Sequence, residues 1–393
     1  MGQFRFLTAG ESHGKGLIAV IEGMVAGLPI SEDYIAQDLK RRQAGYGRSA
    51  RMEIEQDKAE IISGVRHGLT IGSPISLLIW NRVWEDWQEI MSVAPVDKEI
   101  QPLTSPRPGH ADLAGAIKYG TKDIRPILER ASARETAVRV AVGAVARKFL
   151  EEFGITIHSH TISIGRHRAK QPKSIDWQQV ESSPVRCADA GAEKAMMAAI
   201  DEAKAEGDTL GGVFEVIAAG VPVGLGSHVQ WDRRLDGQIA QAIMSINAVK
   251  GVDIGVGFSM ANVKGSQAQD VIETCPEGIA LPWHRATNNA GGIEGGISNG
   301  QSIVVRAAVK PVATLGKPLP SVDLRSGKKV EAHYERSDIC VVPAAGVIGE
   351  AMLAIVMTNA MLEKFGGDHL KETLANYKNY ISPAYSRNRY ATS

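Results

Sequence analysis

Two histidines lie in short segments of small, polar and glycine residues. His13 is in the run Gly10–Gly14 (GESHG), and His110 is in the run Arg107–Asp112 (RPGHAD). Histidine is the side chain whose unperturbed pKa suits proton transfer near neutral pH, and glycine lets the backbone approach a ligand closely. Both segments are therefore candidates for acid–base catalysis, although a loop histidine bonded to the main chain would give the same pattern.

Cations are concentrated between Lys40 and Arg51, where five of twelve residues are lysine or arginine around a Gly-Tyr-Gly sequence. Arginine matches phosphate and carboxylate groups through paired hydrogen bonds. A solvated basic loop or a nucleic-acid arm would show the same composition. Lys+Arg and Asp+Glu both number 44, and aromatic residues make up only 5%, which weighs against the nucleic-acid arm.

A predicted helix beginning at Ala133 offers a second anion site. Its free N–H groups and positive dipole end lie between Arg130 and Arg134, and Ser132 with Glu135 has the spacing of a capping box. An ordinary capped helix with exposed arginines explains these residues equally well.

The run Asn288–Gly300 contains five glycines in thirteen residues. It matches neither the GxGxxG dinucleotide fingerprint nor the P-loop. A nucleotide-like cofactor would therefore bind through a different structural motif. A flexible surface loop would show the same glycine content.

The elements that must position these residues follow from periodicity and end signals. Helices are predicted over Ser31–Arg42, Ala133–Phe153, Ala192–Glu206, Gln238–Asn247 and Val347–Phe365, and strands over Ile155–Ile164, Val213–Val221 and Ile303–Val309. The first of these strands alternates apolar and polar residues and should be half-buried. Helices and strands do not alternate strictly, which favours α+β layers over a doubly wound parallel sheet.

The chain of 393 residues is expected to form one domain, 1–393, because no linker-like segment divides it. Helix–strand blocks in both halves suggest internal duplication, without a sequence repeat to support it. The polar segment Tyr377–Ser393 shows no clear periodicity and is expected to be flexible unless it is held by contact.

Three distant cysteines without a CxxC pair indicate neither a disulfide framework nor a zinc site. No signal-peptide pattern and no apolar run approaching the ~18 residues of a membrane span are evident. A soluble, cytoplasmic protein is expected.

Six ordered blocks together resemble the chorismate synthase family along almost the whole chain. Three are similar to that family's signatures: Gly10–Gly14, Glu129–Glu135 and Arg336–Pro343, the last running on to Glu350. The others are Arg107–Asp112, Ile246–Gly251 and Asn288–Gly300. Two minor departures are Ile339, where the family usually has Pro, Ser or Val, and Asn289, where many members have His.

The resemblance implies a carbon–oxygen lyase of the shikimate pathway, which leads to the aromatic amino acids. The reaction would be the anti 1,4-elimination of phosphate from 5-enolpyruvylshikimate 3-phosphate to give chorismate. Reduced FMN (FMNH2) would be required but not consumed, since it lends an electron to the allylic system and recovers it after hydrogen is lost from C6.

The resemblance also implies roles for individual residues. His110 would protonate reduced flavin or the leaving phosphate, His13 would act near the same groups, and Asp338 would help to take the proton through flavin N5. Substrate-binding positions would be Ser12, Arg42, Arg48, Arg107, Ser132 and Arg134. FMN-binding positions would be Arg130, Ala131, Ser132, Asn247, Ala248, Gly295, Lys310, Pro311, Val312, Ala313, Thr314 and Arg336. No metal site is implied.

The family fold is a layered β-α-β sandwich with antiparallel sheets around a helical core, usually in a homotetramer. The chain resembles the monofunctional bacterial type, so a separate flavin reductase would supply reduced FMN, and NADP is associated with the family. Two alternatives remain. A flavin-dependent oxidoreductase would consume one reductant per product, and a nucleic-acid-binding module would bind with a steep salt dependence.

Overall fold

The structure is a computed structural model that describes residues 4–49, 54–172, 174–275, 283–335 and 337–384. Its strands are β1 Arg5–Ala9, β2 Gly16–Glu22, β3 Glu60–Ser63, β4 Val65–Arg66, β5 Leu69–Thr70, β6 Ile75–Trp80, β7 Thr156–Ile164, β8 His167–Arg168, β9 Gly212–Ala219, β10 Val249–Ile254, β11 Ile272–Thr274, β12 Trp283–Arg285, β13 Ile293–Glu294, β14 Ile297–Ser298, β15 Ile303–Val309, β16 Pro320–Val322 and β17 Lys329–Glu331.

The α-helices are α1 Glu32–Gln43, α2 Trp84–Trp87, α3 Asp112–Tyr119, α4 Arg125–Ala131, α5 Thr136–Glu151, α6 Trp177–Ser182, α7 Ala190–Glu206, α8 Leu235–Met244, α9 Gly265–Ala268, α10 Val342–Phe365 and α11 Leu370–Ala384. Short 3-10 helices cover Ala133–Glu135, Trp231–Arg233 and Gly257–Asn262.

Two antiparallel sheets enclose a helical layer. One sheet has the order β1-β2-β6-β3 and the other has the order β10-β15-β9-β7-β8. Helix α5 packs on β2 and β6 of the first sheet, α10 packs on β7 and β9 of the second, and the two helices pack on each other. The predicted α+β sandwich around a helical core is confirmed. Both sheets carry a long helix on one face, but they differ in strand number and order.

The central helix α10 is apolar almost all round. It is long and apolar enough to cross a membrane, yet 94% of the relevant stretch is buried inside the protein, as expected for a core helix. The sequence prediction that no such apolar run exists was therefore wrong for this segment. Helix α5 approaches α10 closely at Gly143, where a Cβ atom would lie 2.2 Å from that of Ala351.

Most predicted elements are present within a few residues of the expected ends. Ser31 caps α1 by accepting the Tyr34 N–H, and α7 ends at Gly207 in the left-handed conformation. The helix predicted from Ala133 begins as a 3-10 turn, in which Ser132 accepts the Arg134 N–H. The Glu135 side chain pairs with Arg139, so among the contacts of the described residues the capping box is only half formed.

The prediction that the strand at Ile155–Ile164 is half-buried was wrong for most of β7. Its residues are buried on both faces from Ser159 onward, because α10 covers one face and α6 covers part of the other. Trp177 of α6 stacks on His158 at 4.8 Å and meets His160 edge-on at 5.9 Å. Inside this strand, His160 Nε2 lies 3.0 Å from Glu215 Oε1.

The segment predicted to lack periodicity is helical as far as Ala384. Tyr377 contacts the rings of Phe153 and Phe365, and the Tyr380 hydroxyl donates to the Val223 carbonyl. Contact with the body therefore orders this part, and 385–393 lie outside the described residues.

A charge network joins the central helices. The Glu350 carboxylate on α10 has no solvent exposure and lies 2.8 Å from Arg41 of α1 and 3.3 Å from Arg186, with Arg147 of α5 also bound to it. Asp38 pairs with Arg41 and Arg147, and Glu181 pairs with Arg41 and Arg186. The network therefore contains three positive arginines and three negative carboxylates, so its charges balance.

The network determines the ionisation of Glu350. Burial alone would raise the pKa of this carboxyl, but Arg41 and Arg147 outweigh burial and hold the pKa well below its ordinary value. Glu350 therefore adds stability above the unfolded pKa of about 4.3, and that stability is lost as the pH falls below this value.

We expect Glu350→Gln to destabilise the fold by about 3–5 kcal/mol, because it leaves a buried excess of positive charge. Thermal unfolding at pH 7 measures the loss. The ordinary carboxyl pKa lies between about pH 5 and pH 3. As the pH falls through this range, the variant should lose less stability than the parent protein.

Glu363→Gln is the matched control on the same helix. Glu363 makes an exposed ion pair with Arg233, and such pairs contribute at most about 1 kcal/mol. Equal melting temperatures for the two variants would contradict the role assigned to the Glu350 network.

Candidate active site

One cavity gathers most of the residues singled out in the sequence. Its volume is about 670 Å³, within the range of roughly 300–1,000 Å³ typical of small-molecule sites. The predicted site residues that line it are Ser12, His13, Arg42, Arg48, Arg107, His110, Ala131, Ser132, Arg134, Asn247, Ala248, Lys310, Pro311, Val312, Ala313, Thr314 and Asp338.

His13 lies in the tight connection between β1 and β2. Gly10 has φ +110°, and a Cβ there would lie 2.3 Å from the Gly16 carbonyl oxygen, so only glycine fits the turn. His13 Nδ1 lies 2.9 Å from Glu129 Oε1, and its backbone N–H donates to Glu129 Oε2 at 2.8 Å. The Trp87 ring stacks on the imidazole at 4.0 Å. Each of these contacts fixes the ring at the cavity wall.

His110 precedes α3 and also has a buried carboxylate at Nδ1, that of Asp112. Arg107 binds the same carboxylate through Nε at 2.8 Å and donates through Nη1 to Thr314 Oγ1 at 3.0 Å. Burial would raise the pKa of Asp112, but hydrogen bonds from His110 and Arg107 hold it well below the ordinary value. Asp112 therefore stays ionised between the Arg107 guanidinium and the His110 ring, both of which it orients.

Arg42 and Arg134 are buried where the α1 end meets the α5 start. Arg134 binds Asp57 at 2.6 Å, and Arg42 donates to Thr136 Oγ1 at 2.9 Å. Burial lowers the pKa of Arg42 to about 10, with Arg48 and Arg134 lowering it and Asp57 raising it. Mutually repelling guanidinium groups at a cavity wall form a site for an anion.

Asp338 faces the same cavity from the segment before α10. Its carboxylate accepts from Arg48 Nη1 at 2.8 Å and from the Ser49 N–H at 2.7 Å. The basic segment is therefore folded into the protein, since Arg41 and Arg42 are also engaged. Ala50 and Arg51 lie outside the described residues.

Among the described residues, two of the predicted FMN-binding positions, Arg130 and Gly295, are not part of the cavity lining. Arg130 is exposed and donates to the Thr8 and Gly10 carbonyl groups. Gly295 lies in the β13–β14 turn, and Arg336 falls outside the described residues. The glycine-rich run packs closely on neighbouring backbone instead: a Cβ at Gly255 would lie 2.1 Å from the Asn289 carbonyl oxygen.

Several residues that hold this site had no role predicted from the sequence. Asp112 stands two positions after His110, and that spacing was the available signal, whereas Glu129 lies 116 positions from His13 and only folding brings the two together. Asp57 and Trp87 gave no signal, because only folding brings them to Arg134 and His13.

Comparisons with known proteins agree with this geometry. The family model "Chorismate synthase" matches residues 4–362. A protein named chorismate synthase from Moorella thermoacetica is 55% identical over 383 residues, covering 96% of this chain and 99% of its own. One of the same name from Streptomyces avermitilis is 51% identical over 392 residues, covering 97% and 98%. A crystal structure of a chorismate synthase matches with a TM-score of 0.78 and 45% identity, covering 98% of this chain and 99% of that chain. The chain belongs to the chorismate synthase family.

Proposed function

We propose that this chain eliminates phosphate from 5-enolpyruvylshikimate 3-phosphate to give chorismate, with reduced FMN as cofactor. The observation that carries the proposal is the convergence of His13, His110 and Asp338 with the cavity arginines on one space. The substrate has a phosphate and two carboxylates, and such a ligand would neutralise arginines that otherwise repel one another.

The cavity arginines would bind the substrate and stabilise its leaving group. Charge grows on the bridging oxygen as the carbon–oxygen bond breaks, and fixed cations stabilise that charge more than they stabilise the intact ester. His110, whose Nδ1 is held by Asp112, would donate a proton to this leaving group. Asp338 presents a carboxylate at the same cavity, the group type that accepts the proton lost from C6.

The cavity residues also fit FMN. The Oδ1 atom of Asn247 is buried and makes no hydrogen bond within the described part of the chain, so it can accept from a donor on a ring. Burial and Lys250 lower the pKa of Lys310, as for a cation that lacks a nearby anion. Ala131, Ser132, Asn247, Ala248 and Lys310–Thr314 would hold the flavin, which supplies electron density to the allylic system when bound.

The partner proposals rest on the same resemblance. A separate flavin reductase would supply reduced FMN, and the NADP association and cytoplasmic location remain expectations. A homotetramer is supported by the outer face of the first sheet, where Leu7 of β1 pairs in register with Val20 of β2. Leu7 is 75% exposed and Trp80 of the same sheet 52%, and exposed apolar patches of this kind mark interfaces. We assign the face to a second copy of this chain.

We expect anaerobic protein with a small amount of photoreduced FMN to release many phosphates per flavin from 5-enolpyruvylshikimate 3-phosphate. Phosphate release under continued anaerobic conditions measures turnover, and the flavin spectrum follows its oxidation state. One flavin oxidised per phosphate would favour the oxidoreductase alternative, and the absence of phosphate would contradict both.

We expect His110→Ala to lower kcat by roughly 10²–10⁴, as the loss of a general acid does, with little change in substrate affinity. Steady-state kinetics and equilibrium binding separate the two effects. His228→Ala is the control, since His228 lies outside the cavity lining. Full turnover by His110→Ala would remove this residue from the mechanism.

We expect Leu7→Lys to reduce the assembly size, because it places a charge on the apolar face. Sedimentation velocity over a range of concentrations measures the change. Val93→Lys changes a still more exposed apolar residue in a loop and should leave the assembly intact. A monomeric parent protein, or an unchanged Leu7→Lys assembly, would contradict the assignment.

A further inference from the structure

We propose that Glu129 is a positioning residue that holds the Nδ1–H tautomer of His13, so that Nε2 of the neutral ring carries no hydrogen. This inference deepens the proposed function and rests on it for its catalytic meaning. Its structural content, the proton position on His13, can be measured in the protein alone.

The contacts around His13 determine which ring nitrogen carries hydrogen. Nδ1 lies 2.9 Å from Oε1 and 3.1 Å from Oε2 of Glu129, and a carboxylate only accepts hydrogen bonds. Nδ1 must therefore be the donor. The opposite nitrogen, Nε2, is then the atom through which the neutral ring can accept a proton and the cationic ring can donate one.

Glu129 is itself held from several directions. Its side chain has no solvent exposure, its carboxylate accepts the His13 N–H at 2.8 Å, and its carbonyl accepts the Ser12 N–H at 3.1 Å. One residue of α4 thus binds both the backbone and the ring of the Ser12–His13 turn. A rigid carboxylate of this kind orients an imidazole in serine hydrolases.

The other neighbours restrict the ring further. Trp87 stacks on the imidazole, with an interplanar angle of 20°. The Arg125 guanidinium lies 3.8 Å from Glu129 Oε1 and 5.4 Å from the centre of the Trp87 ring. A carboxylate oxygen of Glu335 lies within 4.8 Å of a ring nitrogen of His13 and of a carboxylate oxygen of Glu129. The Trp87 stack and the Glu129 contacts together limit rotation of the ring, and the Glu129 carboxylate determines which ring nitrogen carries hydrogen.

Glu129→Gln changes the hydrogen-bonding pattern with little change in volume. The amide has one accepting oxygen, and the carboxylate it replaces accepts from both the His13 backbone and ring. With the backbone N–H bound to that oxygen, the amide NH2 faces Nδ1 and favours the Nε2–H tautomer. We expect kcat to fall by roughly 10²–10⁴, as for a misplaced proton-transfer group, while KM changes less than about threefold because no substrate-binding arginine is altered.

The decisive measurement is magic-angle-spinning ¹⁵N NMR of histidine-labelled protein without flavin or substrate. The His13 signal is assigned by its loss in His13→Ala. We expect Nδ1–H in the parent protein and Nε2–H in Glu129→Gln. Glu129→Asp retains a carboxylate with a shorter reach, and it should keep more of the Nδ1–H tautomer and more activity than Glu129→Gln.

Glu215→Gln is the matched control. Glu215 forms a buried pair with His160 in the second sheet, away from the cavity lining. The same substitution should lower the melting temperature but leave kcat and the His13 signal unchanged.

Two results would overturn the proposal: retention of Nδ1–H on His13 in Glu129→Gln, or a kcat within about threefold of the parent value when chemistry limits turnover. A parent protein that shows the Nδ1–H tautomer but releases no phosphate would instead contradict the proposed function. If Glu129→Gln does not fold, the comparison of Glu129→Asp with the parent protein decides, since an unchanged tautomer and kcat in Glu129→Asp would overturn the proposal.

Discussion

The buried pairing of Glu350 with three arginines is the interaction on which the site depends. It joins α1, α5 and α10 through a carboxylate that has no solvent exposure, so that an unpaired charge there would be costly. Because Arg41 and Arg42 are consecutive in the last turn of α1, binding Arg41 to Glu350 also fixes the direction of Arg42. The same network that holds the helical layer together therefore directs the Arg42 guanidinium toward the cavity.

Arg41 and Arg42 are neighbours in the chain, but Arg41 belongs to the Glu350 network and Arg42 belongs to the cavity. Burial alone would lower the pKa of Arg41, but Glu350 and Glu181 outweigh it and raise the pKa above its ordinary value. Burial lowers the pKa of Arg42 to about 10, and its ion pair with Asp57 at 3.5 Å opposes that shift only in part. Arg41 is bound by carboxylates within the fold. Arg42 also lines the cavity, where a polyanionic ligand would add negative charge.

Local features were predictable from the sequence, and long-range pairings were not. Ser31 and Gly207 bound their helices as predicted because capping chemistry acts within a few residues. The histidine turns and arginines converge on one cavity as the resemblance implied. The partners of these residues could not be found, since His13 meets Glu129 across 116 positions. The burial of both faces of β7 depends on α6 and is equally invisible in the strand itself.

A buried histidine–carboxylate pair is not evidence of catalysis in itself, as three pairs among the described residues make clear. His160 and Glu215 lie inside the second sheet, where the pair satisfies two polar groups that folding removed from water. His13–Glu129 and His110–Asp112 have the same chemistry, but each has its imidazole at the cavity wall. A proton on such a ring can reach a bound molecule, and a proton on His160 cannot. Two features separate a histidine that donates a proton from one that only fills the core. Its ring can reach the ligand, and a carboxylate determines which ring nitrogen faces that ligand.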